Sequence, residues 1–260
     1  MRLTHIGGPT VLLEIDGWRL LTDPTFDPPG RKYAFGWGTS SRKLTGPAVP
    51  AEDIGPIDAV LLTHDHHADN LDVAGRALLP DAGTVLTTRS GAARLGDGAQ
   101  GLETWDTVVL EHPERPTVHV TATPARHGPI GSRPIVGDVI GFALRWDHQR
   151  HGVVWISGDT VLFDGIHEVA RRLEVGTAVV HLGGVRFPVT GPIHYTMRAR
   201  HLAAVCDLLE PHATVPVHYE GWSHFKEDRS AAQATLARGT ERLRSSLHWV
   251  PLGVPVDMEP

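Results

Sequence analysis

This 260-residue chain predicts a layered α/β fold, on three observations. Apolar runs rich in β-branched residues recur from residue 57 onward, and helical patterns fall between or after several of them. Polar side chains suited to metals follow four of the runs directly, where α/β folds place ligand-binding loops. The runs are 57–63 (IDAVLLT), 117–123 (TVHVTAT), 152–157 (GVVWIS), 177–182 (TAVVHL) and 213–217 (ATVPV), and they read as strands.

Helical spacing joins Leu71, Ala74 and Leu78 over 70–79, and Ile166, Val169, Ala170 and Leu173 over 164–173, with Asp164 as the expected N-cap. It joins Leu202, Val205, Cys206 and Leu209 over 196–209, and a last helix is expected over 229–245. Near the start, TVLLEIDGWRLLTDP places Asp16-Gly17 between two apolar runs, a hairpin signal. Residues 27–56 include PPGRKYAFGWGTSSRKLTGPAVP, dense in Gly and Pro, with Tyr33, Phe35 and Trp37 spaced by two. A loop this long reads either as an active-site flap or as a surface loop pinned by aromatic packing. No repeat, low-complexity tract or linker interrupts the chain, so one domain over 1–260 is expected.

Composition narrows the function classes. A formal net charge of −6 argues against a broad nucleic-acid surface. The single cysteine, Cys206, allows no internal disulfide. MRLTHIGG lacks the apolar core of a signal peptide, and no apolar run reaches the ~18 residues of a membrane span. A soluble, cytoplasmic protein is expected, and homo-oligomers are compatible with the sequence. The 17 histidines raise the prospect of metal chemistry.

The polar residues after the runs sharpen that prospect. After 57–63 comes HDHHADN, with His64, His66, His67 and Asp69; after 117–123 comes His127; after 152–157, Asp159; after 213–217, His218. Imidazole and carboxylate are ligands for zinc and related divalent ions. In extended backbone His64 and His66 would point the same way and share one ion, and Asp159 could bridge two ions. Taken singly, His127 is a loop histidine, Asp159 a helix cap and His218 a core histidine; only their joint placement makes a site. His181, His194 and His224 are intermediate cases.

These residues resemble the metallo-β-lactamase superfamily, in particular the branch with ascorbate-6-phosphate lactonase and the N-acyl-phosphatidylethanolamine phospholipase D type enzymes. The likeness runs through THIGGPTVLLEIDGWRLLTDPTF, IDAVLLTHDHHADNLD, TATPARHG, ISGDT, GPIHYTM and VPVHYEGW. It implies an αββα four-layer sandwich and a metal-dependent hydrolase. His64, His66 and His127 would hold a first metal, Asp159 would bridge, His218 would bind the second, and His194 would polarise the substrate or protonate a leaving group. The family pattern is His-x-His-x-Asp-His. Here one inserted residue puts Asp69-Asn70 in place of Asp-His, so the second-site histidine is absent. Asp69 is then the replacement ligand and the residue that orients the nucleophile, with His67 in reserve. Gly8 also stands where relatives often carry histidine.

The expected cofactor is one or two divalent ions, zinc first, with manganese and iron as alternatives. The expected reaction is attack by a metal-bound hydroxide on an ester, lactone or phosphodiester of a small molecule. Competing readings are a non-catalytic metal-binding or sensing protein with one closed site, and a di-iron redox site. Arg31, Lys32, Arg42 and Lys43 could favour an anionic substrate, or form a solvated charge cluster.

Overall fold

A computed structural model of the chain describes residues 1–36 and 38–260. Trp37, the third member of the aromatic spacing, lies outside the described residues. Among these residues, one sheet has seven strands in the order Val256–Asp257, Arg2–Gly7, Thr10–Ile15, Trp18–Thr22, Ala59–Leu61, Val85–Thr88 and Ala99–Leu102. A second has six, in the order Ala213–Val217, Val175–His181, Val153–Ile156, Ile140–Arg145, Arg115–Pro124 and Thr107–His112.

The period-two alternation of each strand builds the layers. Leu3, Val11, Leu13 and Ile15 of the first sheet meet Val120, Phe142, Val154 and Val179 of the second in a central core. The opposite faces are also apolar. Val153, Trp155, Ala178 and Val180 pack under helices Asp164–Arg172, Ala199–Leu209 and Arg229–Leu236. Leu12, Leu21, Val60 and Val85 meet the segment around helix Val73–Leu78. Because both faces of both sheets are covered, the fold is the αββα sandwich. In the second sheet, Val153–Ile156, Val175–His181 and Ala213–Val217 run parallel, so their C-terminal ends open on the same rim.

Several elements differ from expectation. The Asp16-Gly17 turn joins antiparallel strands as predicted, with Glu14 opposite Arg19. The 27–56 segment contains a small hairpin, Lys32–Gly36 with Thr39–Arg42, that its composition did not announce. Asp164 is the first helical residue and Phe163 the N-cap. The last helix breaks in two, because Thr240 caps a new helix, Glu241–Ser246. No helix among the described residues is long and apolar enough to cross a membrane.

Candidate metal centre

The site begins at Asp23, a fully buried carboxylate at the end of strand Trp18–Thr22. It accepts the Thr63 backbone N–H at 2.7 Å and the Thr63 hydroxyl at 2.9 Å. Burial holds its carboxyl well above the usual carboxylate range. Thr63 thereby anchors the loop leaving strand Ala59–Leu61, and its Oγ1 lies 3.1 Å from His64 Nδ1. With Nδ1 engaged there, His64 presents Nε2 inward.

The chain then turns, and the expected His64–His66 pair is not formed. Asn70 and Leu71 both donate backbone N–H groups to the His67 carbonyl, so the segment is bent, not extended, and alternation no longer applies. His67 swings in: its Nδ1 is 3.3 Å from His64 Nε2 and 3.1 Å from His127 Nε2. His66 faces outward instead, with Nδ1 3.0 Å from Arg94 Nη2. Arg94 also holds Asp65, at 2.6 and 2.8 Å. The His66 ring covers Gly137, whose φ of +77° favours glycine and where a Cβ would stand 2.2 Å from the ring, so a larger residue there would have to displace it.

The second sheet supplies the rest. His127 follows strand Arg115–Pro124 and donates from Nδ1 to the Tyr195 carbonyl at 2.8 Å, aiming Nε2 at His67. Asp159 follows strand Val153–Ile156 through a tight turn at Gly158, whose φ is +61° and where a Cβ would meet the Ile140 carbonyl at 2.7 Å. His218 ends strand Ala213–Val217 in a left-handed conformation, φ 58°, rare for a non-glycine residue, with its N–H on the Gly8 carbonyl. Asp69, Asp159 and His218 form a second buried triad, as His64, His67 and His127 form the first. His127 Nε2 and Asp159 Oδ2, 3.9 Å apart, join the two.

The electrostatics favour a cation. Burial, then the neighbouring His127, pushes the His67 ring down to about 3, and burial keeps His64 well below its ordinary value, so both rings are neutral at pH 7. Burial opposes the charge of Asp159 and Asp69, yet the surrounding histidines hold both carboxyls below the ordinary range. Burial would also neutralise His218, but Asp159 and Asp69 outweigh it and push the ring up to about 9. Asp69 Oδ1, Asp159 Oδ2, His181 Nε2 and His218 Nε2 are buried without a hydrogen-bond partner.

A cavity of about 240 Å³ opens on this cluster. His67, Asp69, His127 and His224 form its polar side, and Phe35, Val136, Val185 and Phe187 its apolar side. His194 is not among the lining residues. It is half-buried beside Gly184, and Arg198, Arg186 and Arg200 are the charges that act on it. Two residues without a specific reading in the sequence stand closer. His224 bonds Asp69 Oδ2 through Nε2 at 2.9 Å and Ser41 Oγ through Nδ1 at 2.6 Å. His181 bonds Asp159 Oδ1 at 3.0 Å. His181 lies inside the run TAVVHL, as the last residue of strand Val175–His181, so a rule that looks only past the runs does not reach it; nothing local marks His224.

The beta-lactamase superfamily domain matches residues 18–219. The chain belongs to that family. A UPF0173 metal-dependent hydrolase from Caldivirga maquilingensis is 25% identical over 228 residues, 87% of this chain and 85% of the relative. Among solved structures, this beta-lactamase superfamily chain is similar to the isothiocyanate hydrolase from Delia radicum gut bacteria (TM-score 0.81, 20% identity, 100% of both chains). It is also similar to Igni18, a metallo hydrolase from Ignicoccus hospitalis (TM-score 0.71, 20% identity, 99% of this chain and 98% of that one). At those identities the likeness is one of fold.

Proposed function

We propose that the chain is a metal-dependent hydrolase of a small molecule, with His64, His67 and His127 holding one divalent ion and Asp69, Asp159 and His218 a second. The observation that carries this reading is the pair of adjacent buried triads with unpartnered donor atoms. Two imidazole nitrogens, His64 Nε2 and His127 Nε2, lie 3.3 and 3.1 Å from His67 Nδ1. The Nδ1 partners of His64 and His127 leave their Nε2 lone pairs inward, and one N–H on His67 can satisfy only one of them. A cation satisfies all three. The unpartnered oxygens of Asp69 and Asp159 suit a second, and the nitrogen-and-oxygen donor sets suit zinc, with manganese and iron as further fits.

Divalent ions at such sites supply Lewis acidity and lower the pKa of a coordinated water. The chain's own residues do the positioning. Thr63 and the Tyr195 carbonyl orient His64 and His127, His181 orients Asp159, and His224 orients Asp69, the outer partners that ligand geometry depends on. The adjoining cavity favours catalysis over a closed structural site, because a substrate bond can reach the triads.

The test is elemental analysis of the purified chain beside turnover of chromogenic esters, lactones and phosphodiesters. An isothiocyanate joins the panel because the isothiocyanate hydrolase shares this fold. Bound divalent ions and chelator-sensitive hydrolysis are expected, with His127→Ala and Asp159→Ala losing both metal and turnover. Full turnover by a metal-free chain would overturn the reading.

A further inference from the structure

We infer that the non-reacting part of the substrate is uncharged and apolar, about the size of a phenyl ring or short alkyl chain; this deepens the hydrolase reading and rests on it. The cavity beside the triads is about 240 Å³, below the ~300 Å³ at which drug-sized pockets begin. Beyond the polar residues at the triads, its walls are Phe35, Val136, Val185, Phe187, Val189 and Tyr195. Among the described residues, Thr39, Thr190 and Tyr195 add neutral hydroxyls to the lining, and no Lys or Arg lines it.

The four cations of the 27–56 segment that the sequence set against an anionic group are placed elsewhere. Lys43 is buried, 2.6 Å from Asp72. Arg31 lies 3.8 Å from Asp27 and over the Tyr33 ring, and Arg42 donates to the Gly30 carbonyl. Lys32 is exposed on the hairpin and is not a lining residue. A carboxylate or phosphate on the far end of a substrate would lose its hydration here and gain no counter-charge. An apolar group loses nothing and buries its surface. At the mouth, Ile135 and Val189 are 39% and 67% exposed, which carries the apolar wall outward.

Hydroxamates test this, because they keep one chelating head while the substituent varies. Calorimetric titration of the zinc-loaded full chain should give benzohydroxamate an affinity about tenfold or more above acetohydroxamate. 4-Carboxybenzohydroxamate should lose most of that gain. Phe187→Ala should shrink the phenyl advantage. Val189→Lys, a change on an exposed position, should improve binding of the carboxylate compound roughly fivefold by giving it a counter-charge. Equal affinity for the methyl and phenyl compounds, or tighter binding of the carboxylate by the unaltered chain, overturns the inference while leaving the metal reading standing. A chain that takes up no zinc and binds none of the three overturns both.

Discussion

His66 and His67 are adjacent, chemically identical and placed in different surroundings. His67 is buried between His64 and His127, whereas His66 shares the surface with Arg94. His67→Ala is therefore expected to weaken zinc binding by more than the ~10–100-fold typical of outer-partner losses. His66→Ala should stay within about twofold of the unaltered chain, as exposed substitutions do. Competition with a chromophoric chelator measures both, and the reverse order would move the centre to His66. HDHHADN made the candidates legible, but the choice between the two histidines depends on a turn that local alternation cannot reveal. Cys206 offers a second residue-scale prediction. Burial pushes its thiol up to about 11, although Thr214 Oγ1 lies 3.5 Å away. A raised thiol pKa contributes stability below the unfolded value of ~8.5, and that contribution fades as pH rises through the folded value. At pH 8 the folded chain should resist a disulfide-exchange reagent and release one thiol equivalent on denaturation. Rapid labelling of the native chain would show the thiol to be accessible.

Among the elements, the 27–56 segment was the least legible. Its Gly and Pro content hides a short hairpin, and Lys43, read either as a cation for an anionic substrate or as part of a solvated charge cluster, is the tie that fastens it. Asp72 accepts backbone N–H groups from Phe26, Asp27 and Gly75 at 2.7–2.9 Å and the Lys43 ammonium at 2.6 Å. It thereby caps helix Val73–Leu78 and ties to it the start of the 27–56 segment and Lys43, just past the segment's hairpin. Both partners are buried, with Lys43 only 3% exposed. Asp72→Asn strands a buried ammonium and is expected to cost about 3–5 kcal/mol in urea denaturation, as for other broken buried pairs. Lys43→Met should cost less, because Asp72 keeps its three backbone donors. If Lys43→Met were the more damaging change, the knot would depend on the ammonium and not on the carboxylate. The long strands and helices were legible for the opposite reason. Each buries an apolar face against another layer, and burial of that kind imposes periodicity on a sequence.

At the scale of the whole molecule, each triad draws on both sheets. His64, His67 and Asp69 follow strand Ala59–Leu61 of the first sheet, while His127, Asp159 and His218 follow strands of the second. An ion in either triad therefore clamps the two sheets at one rim, and the unfolded chain offers no such assembled site. Mass action then fixes the consequence: at free metal a thousandfold above Kd, each site adds about 4.1 kcal/mol to unfolding. For a chain of this size that corresponds to roughly 8–16 °C in Tm. A thermal scan of the zinc-loaded chain should fall by that order after chelation and recover when zinc is returned. Asp159→Asn changes a carboxylate of the second triad, 3.9 Å from His127 of the first, without altering its volume, so it should blunt the metal-dependent shift. A chain that hydrolyses substrate with metal bound, yet melts at the same temperature with and without it, would place the ions away from the junction of the sheets.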